Sequence, residues 1–169
     1  MIEVSLILPD IRSTHNVGSI FRTSEIFGVK KIYIAGYTPY PTMPNDARIP
    51  HLARKIQSQI HKTALGTEAI VPFEVFGTAS EAITSAKEEG NTIYALEQNK
   101  DSINLEDVQL DQKCAFILGR EVEGVAPDVL EQAEQIIEIS QLGSKESLNI
   151  ATASAILLYD ICINKPNKK

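Results

Sequence analysis

The sequence predicts an α/β fold: a mostly parallel sheet flanked by helices. Two observations carry that reading. Short apolar runs of strand length alternate with amphipathic segments of helical length, and Gly or Pro marks the junctions between them.

Val4 to Leu8 reads as a buried strand, ended by Pro9 and Asp10. A helix follows from about Val17 to Phe27, capped by Asn16 and stopped at Gly28. Lys31 to Ala35 is a second strand, closed by Gly36. Residues 37–50 hold four prolines and no periodicity, which predicts a loop of functional length. A basic helix at roughly 51–63, a strand from Ile70 to Phe76 and a helix from Ala79 to Glu89, ended by Gly90, come next. Strands at 92–96 and 114–118, a helix from Pro127 to Gln135 and a strand from Ile136 to Ile139 lead to the terminal helix, 148–163. That last helix is apolar on nearly every face, so it needs cover on two sides. Either the rest of the chain or a second subunit supplies the second cover. No repeat, low-complexity tract or linker interrupts the 169 residues, which are expected to form a single domain.

With 43% hydrophobic and 22% charged residues, the chain is globular rather than disordered. Met1-Ile-Glu-Val-Ser lacks a basic stretch leading into an apolar core, and no apolar run spans a bilayer, so a cytoplasmic protein without a membrane partner is expected. Cys114 and Cys162 sit in apolar runs and read as buried thiols of a reducing compartment. His15, His51 and His61 have no metal-ligand spacing, so no metal is expected. The net charge of −6 is uneven: residues 1–62 carry eight Lys/Arg against four acids. A basic third can focus a polyanion onto one face of an acidic protein, although uneven surface charge alone has the same appearance.

Three segments look overbuilt for packing. In Asn16-Val-Gly-Ser-Ile-Phe-Arg22, a helix begun at Asn16 puts Gly18, Ser19 and Arg22 on one face. The small residues would leave room beside a guanidinium near an anion-friendly helix start, although taken alone these residues favour a capped helix with a surface arginine. Leu118-Gly-Arg-Glu-Val-Glu-Gly124 follows a strand, but Glu121 in its middle is a poor neighbour for a pyrophosphate, which argues against a dinucleotide site. Gln141-Leu-Gly-Ser-Lys-Glu-Ser-Leu-Asn149 is a polar loop feeding a helix N-terminus, where Ser147 or Asn149 can cap.

In this order and spacing, the three segments resemble the motifs of the SpoU/TrmH family of the SPOUT superfamily, RNA ribose 2′-O-methyltransferases. The resemblance covers essentially the whole chain. Departures are Arg120, where the family more often has Asn, Ser140 for Pro and Ala151 for Ser. An outward-pointing Arg120 would matter little. The resemblance implies a deep C-terminal trefoil knot over roughly 93–165, S-adenosylmethionine as cofactor and an obligate homodimer with composite sites. It also implies that Leu96, Gly119, Ile139, Ser147 and Leu148 line the cofactor pocket, and that Asn16, Arg22, Glu121, Ser147 and Asn149 form the reaction site. Arg48, Arg54, Lys55 and Lys62, in or beside the Pro-rich loop, are the candidate RNA contacts. No separate RNA-binding domain of the kind many members carry is expected, and the likeness is to the minimal members, which puts tRNA ahead of rRNA as substrate. A catalytically inactive RNA binder and a base-nitrogen methyltransferase are the competing functions. The complete set of motif residues weighs against the first, and the Asn-x-Gly-x-x-x-Arg and Ser-Leu-Asn motifs weigh against the second.

Overall fold

A computed structural model describes residues 2–120, 124–144 and 147–165. Its strands are Glu3–Pro9 (β1), Ile32–Ala35 (β2), Phe73–Phe76 (β3), Thr92–Leu96 (β4), Ile103–Asn104 (β5), Lys113–Leu118 (β6) and Gln135–Glu138 (β7). They form one sheet in the order β3-β2-β1-β6-β4-β7-β5, with every neighbouring pair parallel. The helices are Thr14–Ile26 (α1), Pro50–Ala64 (α2), Ala79–Glu88 (α3), Pro127–Leu130 (α4) and Ile150–Tyr159 (α5).

The side-chain period of two splits each central strand between two cores. Leu6, Leu8, Ile34, Phe116 and Leu118 pack with α1, α2 and α5, while Ile7, Tyr33, Ala95 and Ile117 pack with α3 and α4. Cover on both faces is why β1 and β6 read as unbroken apolar runs. Truncating a fully buried residue such as Ile7 to Ala costs about 2–5 kcal/mol.

Several boundaries differ from the sequence reading. Helix α1 begins at Thr14, and its cap is Ser13, whose hydroxyl accepts the Asn16 N–H at 3.2 Å. Asn16 therefore lies inside the first turn and keeps its side chain for another purpose. Gly18 does not make room for Arg22 either. A Cβ there would overlap the Thr63 hydroxyl and the Ile60 carbonyl, so Gly18 is what lets α1 and α2 approach backbone to backbone. Thr63 strengthens that contact by donating to the His15 carbonyl at 2.9 Å. Strand β5 escaped the pattern because its two residues are exposed. Helix α4 stops after one turn, and the last helix starts at Ile150 and ends in a wider π turn over Asp160–Asn164.

Candidate active site

The carboxyl ends of β6, β4 and β7 lie side by side, with Leu118 paired to Leu96 and Leu96 to Ile137. Open α/β sheets place their crevices beyond such ends. Here a cavity of about 250 Å³ is lined by Leu96, Gly119, Ile139, Ser147 and Leu148, drawn from three separate stretches of chain. These are the five residues expected to hold the cofactor.

The wall after β6 is built on close backbone approach. A Cβ on Gly119 would come within 2.6 Å of the Val125 nitrogen. Arg120 and Gly124 exchange both backbone hydrogen bonds, at 3.0 and 3.2 Å. Gly124 holds φ +67°, and a Cβ there would strike the Glu97 carboxylate. Glu97 in turn accepts the Val125 N–H at 2.8 Å on one oxygen and the Gln98 N–H at 2.9 Å on the other. A side chain at the end of β4 thus pins the loop that follows β6.

The opposite wall is the N-terminus of α5. Asn149 caps it, its side-chain oxygen accepting from Ala151 and Thr152 at 2.9 and 3.3 Å. Its amide donates to the Asn16 side-chain oxygen at 3.1 Å, joining the first and third motif segments. Ser147 lines the cavity two residues before that cap. Arg22 is not gathered with them. It is exposed about 9 Å further along α1, outside the cavity lining and without a hydrogen bond or ion pair among the described residues. Glu121 lies outside the described residues.

Of the basic candidates, Arg54, Lys55 and Lys62 are exposed on α2, and the last two stand seven residues apart on one stripe. Arg48 behaves differently: its guanidinium stacks 3.6 Å over the Tyr40 ring and donates to the Tyr40 and Pro41 carbonyls and to Asp46. The hydrogen bond from Arg48 lowers the Asp46 carboxyl to about 2. Arg48 is therefore the internal clamp of the Pro-rich loop. Burial pushes the Cys114 thiol up to about 12, which makes it inert at neutral pH. Among the described residues no cluster of three His, Cys, Asp or Glu could hold a metal ion, and no helix is long and apolar enough to cross a membrane.

Residues 3–159 match the sequence model of the SpoU rRNA Methylase family. The chain belongs to that family. It is 27% identical over 158 residues to a tRNA (guanosine(18)-2'-O)-methyltransferase of Borreliella burgdorferi, covering 94% of this chain and 65% of the relative. A protein of the same description from Thermus thermophilus is 26% identical over 159 residues, with 94% and 73% covered. The fold is shared with an AdoMet-bound rRNA methyltransferase from Sinorhizobium meliloti at TM-score 0.80 and 20% identity, covering 98% of this chain and 57% of that one. It is also shared with the A. aeolicus TrmH/SpoU tRNA modifying enzyme at TM-score 0.75 and 23% identity, with 95% and 74% covered. This chain thus spans less of the Borreliella and Sinorhizobium proteins than they span of it.

Set in the SpoU family, two residues gain meaning that motif reading missed. Arg120, a departure that would matter little only if its side chain pointed outward, lines the cavity. Glu97 follows the strand end at Leu96, and its hold on the Val125 and Gln98 N–H groups has no signature in the sequence.

Proposed function

We propose that this chain transfers a methyl group from S-adenosylmethionine to a ribose 2′-hydroxyl of RNA, tRNA ahead of rRNA. One observation carries the reading. The Asn16–Asn149 hydrogen bond brings the first motif segment to the mouth of a cavity that the second and third line. The curated relatives' descriptions name the same reaction class on guanosine 18 of tRNA, and one from Nitrosomonas europaea names 23S rRNA.

The residues present suit the cofactor. Leu96, Ile139 and Leu148 offer apolar walls to an adenine, and Gly119 lets backbone approach closely. S-adenosylmethionine would supply a methyl carbon on a sulfonium: a carbon–oxygen bond would form as the carbon–sulfur bond breaks, with S-adenosylhomocysteine as the leaving group and the hydroxyl proton passing to water. The protein's own part is alignment of the hydroxyl with that carbon. Asn16 and Ser147 orient the ribose. A charged Arg22 grips the neighbouring phosphate and stabilises the developing alkoxide, which suits a guanidinium better than proton abstraction does.

Because Arg22 is exposed on α1, about 9 Å along the helix from the Asn16–Asn149 contact, the complete site is proposed to form in a homodimer. Ile156, Tyr159 and Ile163 on the terminal helix and Ile26 at the end of α1 are exposed apolar residues, between 38% and 64% accessible, that a second copy would cover. The sheet order, in which the chain reaches edge strand β5 and returns to insert β6 between β1 and β4, supports a C-terminal trefoil knot within one methyltransferase domain. Incubation of the purified protein with labelled cofactor and unmodified tRNA or rRNA transcripts, followed by mapping of 2′-O-methyl positions, tests the reading. No label in either RNA would overturn it.

A further inference from the structure

We infer that Arg120 recognises the carboxylate of the cofactor's amino-acid end, a role its replacement of the family's usual Asn gives to this chain. The inference rests on the methyl-transfer reading above. S-adenosylmethionine carries two cationic centres, the sulfonium and the ammonium, and one anionic group, the carboxylate. The cavity has a matching charge pattern: Glu97 and Glu138 line it as acids, and Arg120 is the one cation among its described lining residues. Of the two acids, Glu97 is already committed to the backbone N–H groups of Val125 and Gln98. Arg120 makes no ion pair with any described residue, so its guanidinium is available to an incoming anion.

The backbone beneath Arg120 is held on every side. Its N–H and carbonyl are both bonded to Gly124, Gly119 packs against the Gly124–Val125 peptide, and Glu97 fixes Val125. A side chain rooted in a fixed loop loses less freedom on binding than one on a mobile loop. A guanidinium presents two parallel donors that fit a carboxylate, whereas the amide of an Asn presents one donor edge and no charge. The cavity runs from β6 across β4 to β7, so Arg120 and Glu138 stand on opposite flanks, two strand spacings or about 10 Å apart at the backbone. That arrangement separates the cationic flank from the acidic one.

Calorimetric titration of wild type, Arg120→Ala and Arg120→Lys with S-adenosylmethionine and with its decarboxylated analogue tests the assignment. Wild type should prefer the intact cofactor by about ten- to a hundredfold, the size of a charge-assisted pair. Arg120→Ala should bind both compounds alike, at the wild-type affinity for the analogue, and Arg120→Lys should recover part of the preference. Discrimination unchanged in Arg120→Ala, absent in wild type, or equal losses for both compounds would overturn the assignment. Wild type that binds neither compound would overturn the methyl-transfer reading, and this inference with it.

Discussion

The Asn149 amide and the Asn16 side-chain oxygen, 133 residues apart in the chain, meet at 3.1 Å. The other end of the same Asn149 side chain caps α5. One residue therefore both starts a helix and ties that helix to α1. The two duties are separable by substitution. Asn149→Ala should lose about 1 kcal/mol of stability along with the tie. Asn149→Ser, a good cap too short to reach Asn16, should hold stability within a few tenths of a kcal/mol while methyl transfer falls as far as in the Ala variant. Chemical denaturation beside single-turnover assays checks both.

Arg22→Ala is expected to slow methyl transfer by about a hundred- to a thousandfold with cofactor affinity nearly unchanged, since Arg22 does not line the cavity. Mixing Arg22→Ala with Asn149→Ala subunits should restore activity, because a mixed dimer regenerates one intact composite site. No recovery on mixing would place Arg22 and Asn149 in the same subunit's site.

Neighbouring residues on α5 should respond in opposite ways. Ile156 is 38% exposed, whereas Leu157 is 0% exposed in the chain's own core. Ile156→Asp should give a folded monomer in sedimentation experiments. Leu157→Asp should unfold, since an unpaired buried charge costs several kcal/mol. A wild-type protein monomeric at micromolar concentration would remove the dimer.

The replacement Arg54→Ala/Lys55→Ala should raise the RNA Michaelis constant and lower its salt slope by about two, one per lost phosphate contact. Arg48→Ala should instead loosen the Pro-rich loop, with a lower melting temperature and an unchanged salt slope. Equal salt slopes in wild type and the double variant would move the RNA face elsewhere.

A pH response is expected from Glu68. Burial raises its carboxyl, but the hydrogen bond from His61 and those from the backbone outweigh burial and hold it below the ordinary range. A folded-state value below the unfolded one stabilises above the ordinary carboxylate pKa and loses that contribution as pH falls through the folded value. Glu68→Gln should therefore cost about 1–2 kcal/mol at pH 7 and progressively less toward pH 3, by urea denaturation across that range.

What was legible in the sequence follows from periodicity. β1, β4 and β6 are buried on both faces and leave uninterrupted apolar runs, so their strands and the parallel sheet could be read directly. The candidate site was legible as far as the motifs bring its residues together: Ser147 lines the cavity, and Asn16 meets Asn149 beside it. It was illegible where a side chain serves backbone far away. Glu97 holds an amide 28 residues ahead, Gly18 admits a helix that begins 32 residues later, and Arg48 satisfies its own loop. Such partners are set by tertiary approach, and no local pattern marks them.

The glycine contact between α1 and α2 has a mechanical consequence. Asn16 and Arg22 ride on one of these helices, and Arg54, Lys55 and Lys62 on the other. With no side chain to act as a cushion at Gly18, and Thr63 bonded across the gap, neither helix can slide without carrying the other. On the proposed function, the cations assigned to the RNA backbone and the groups assigned to its sugar would thus be mounted on one lever. Strain from the far end of an RNA so bound would then arrive at the reacting ribose undamped.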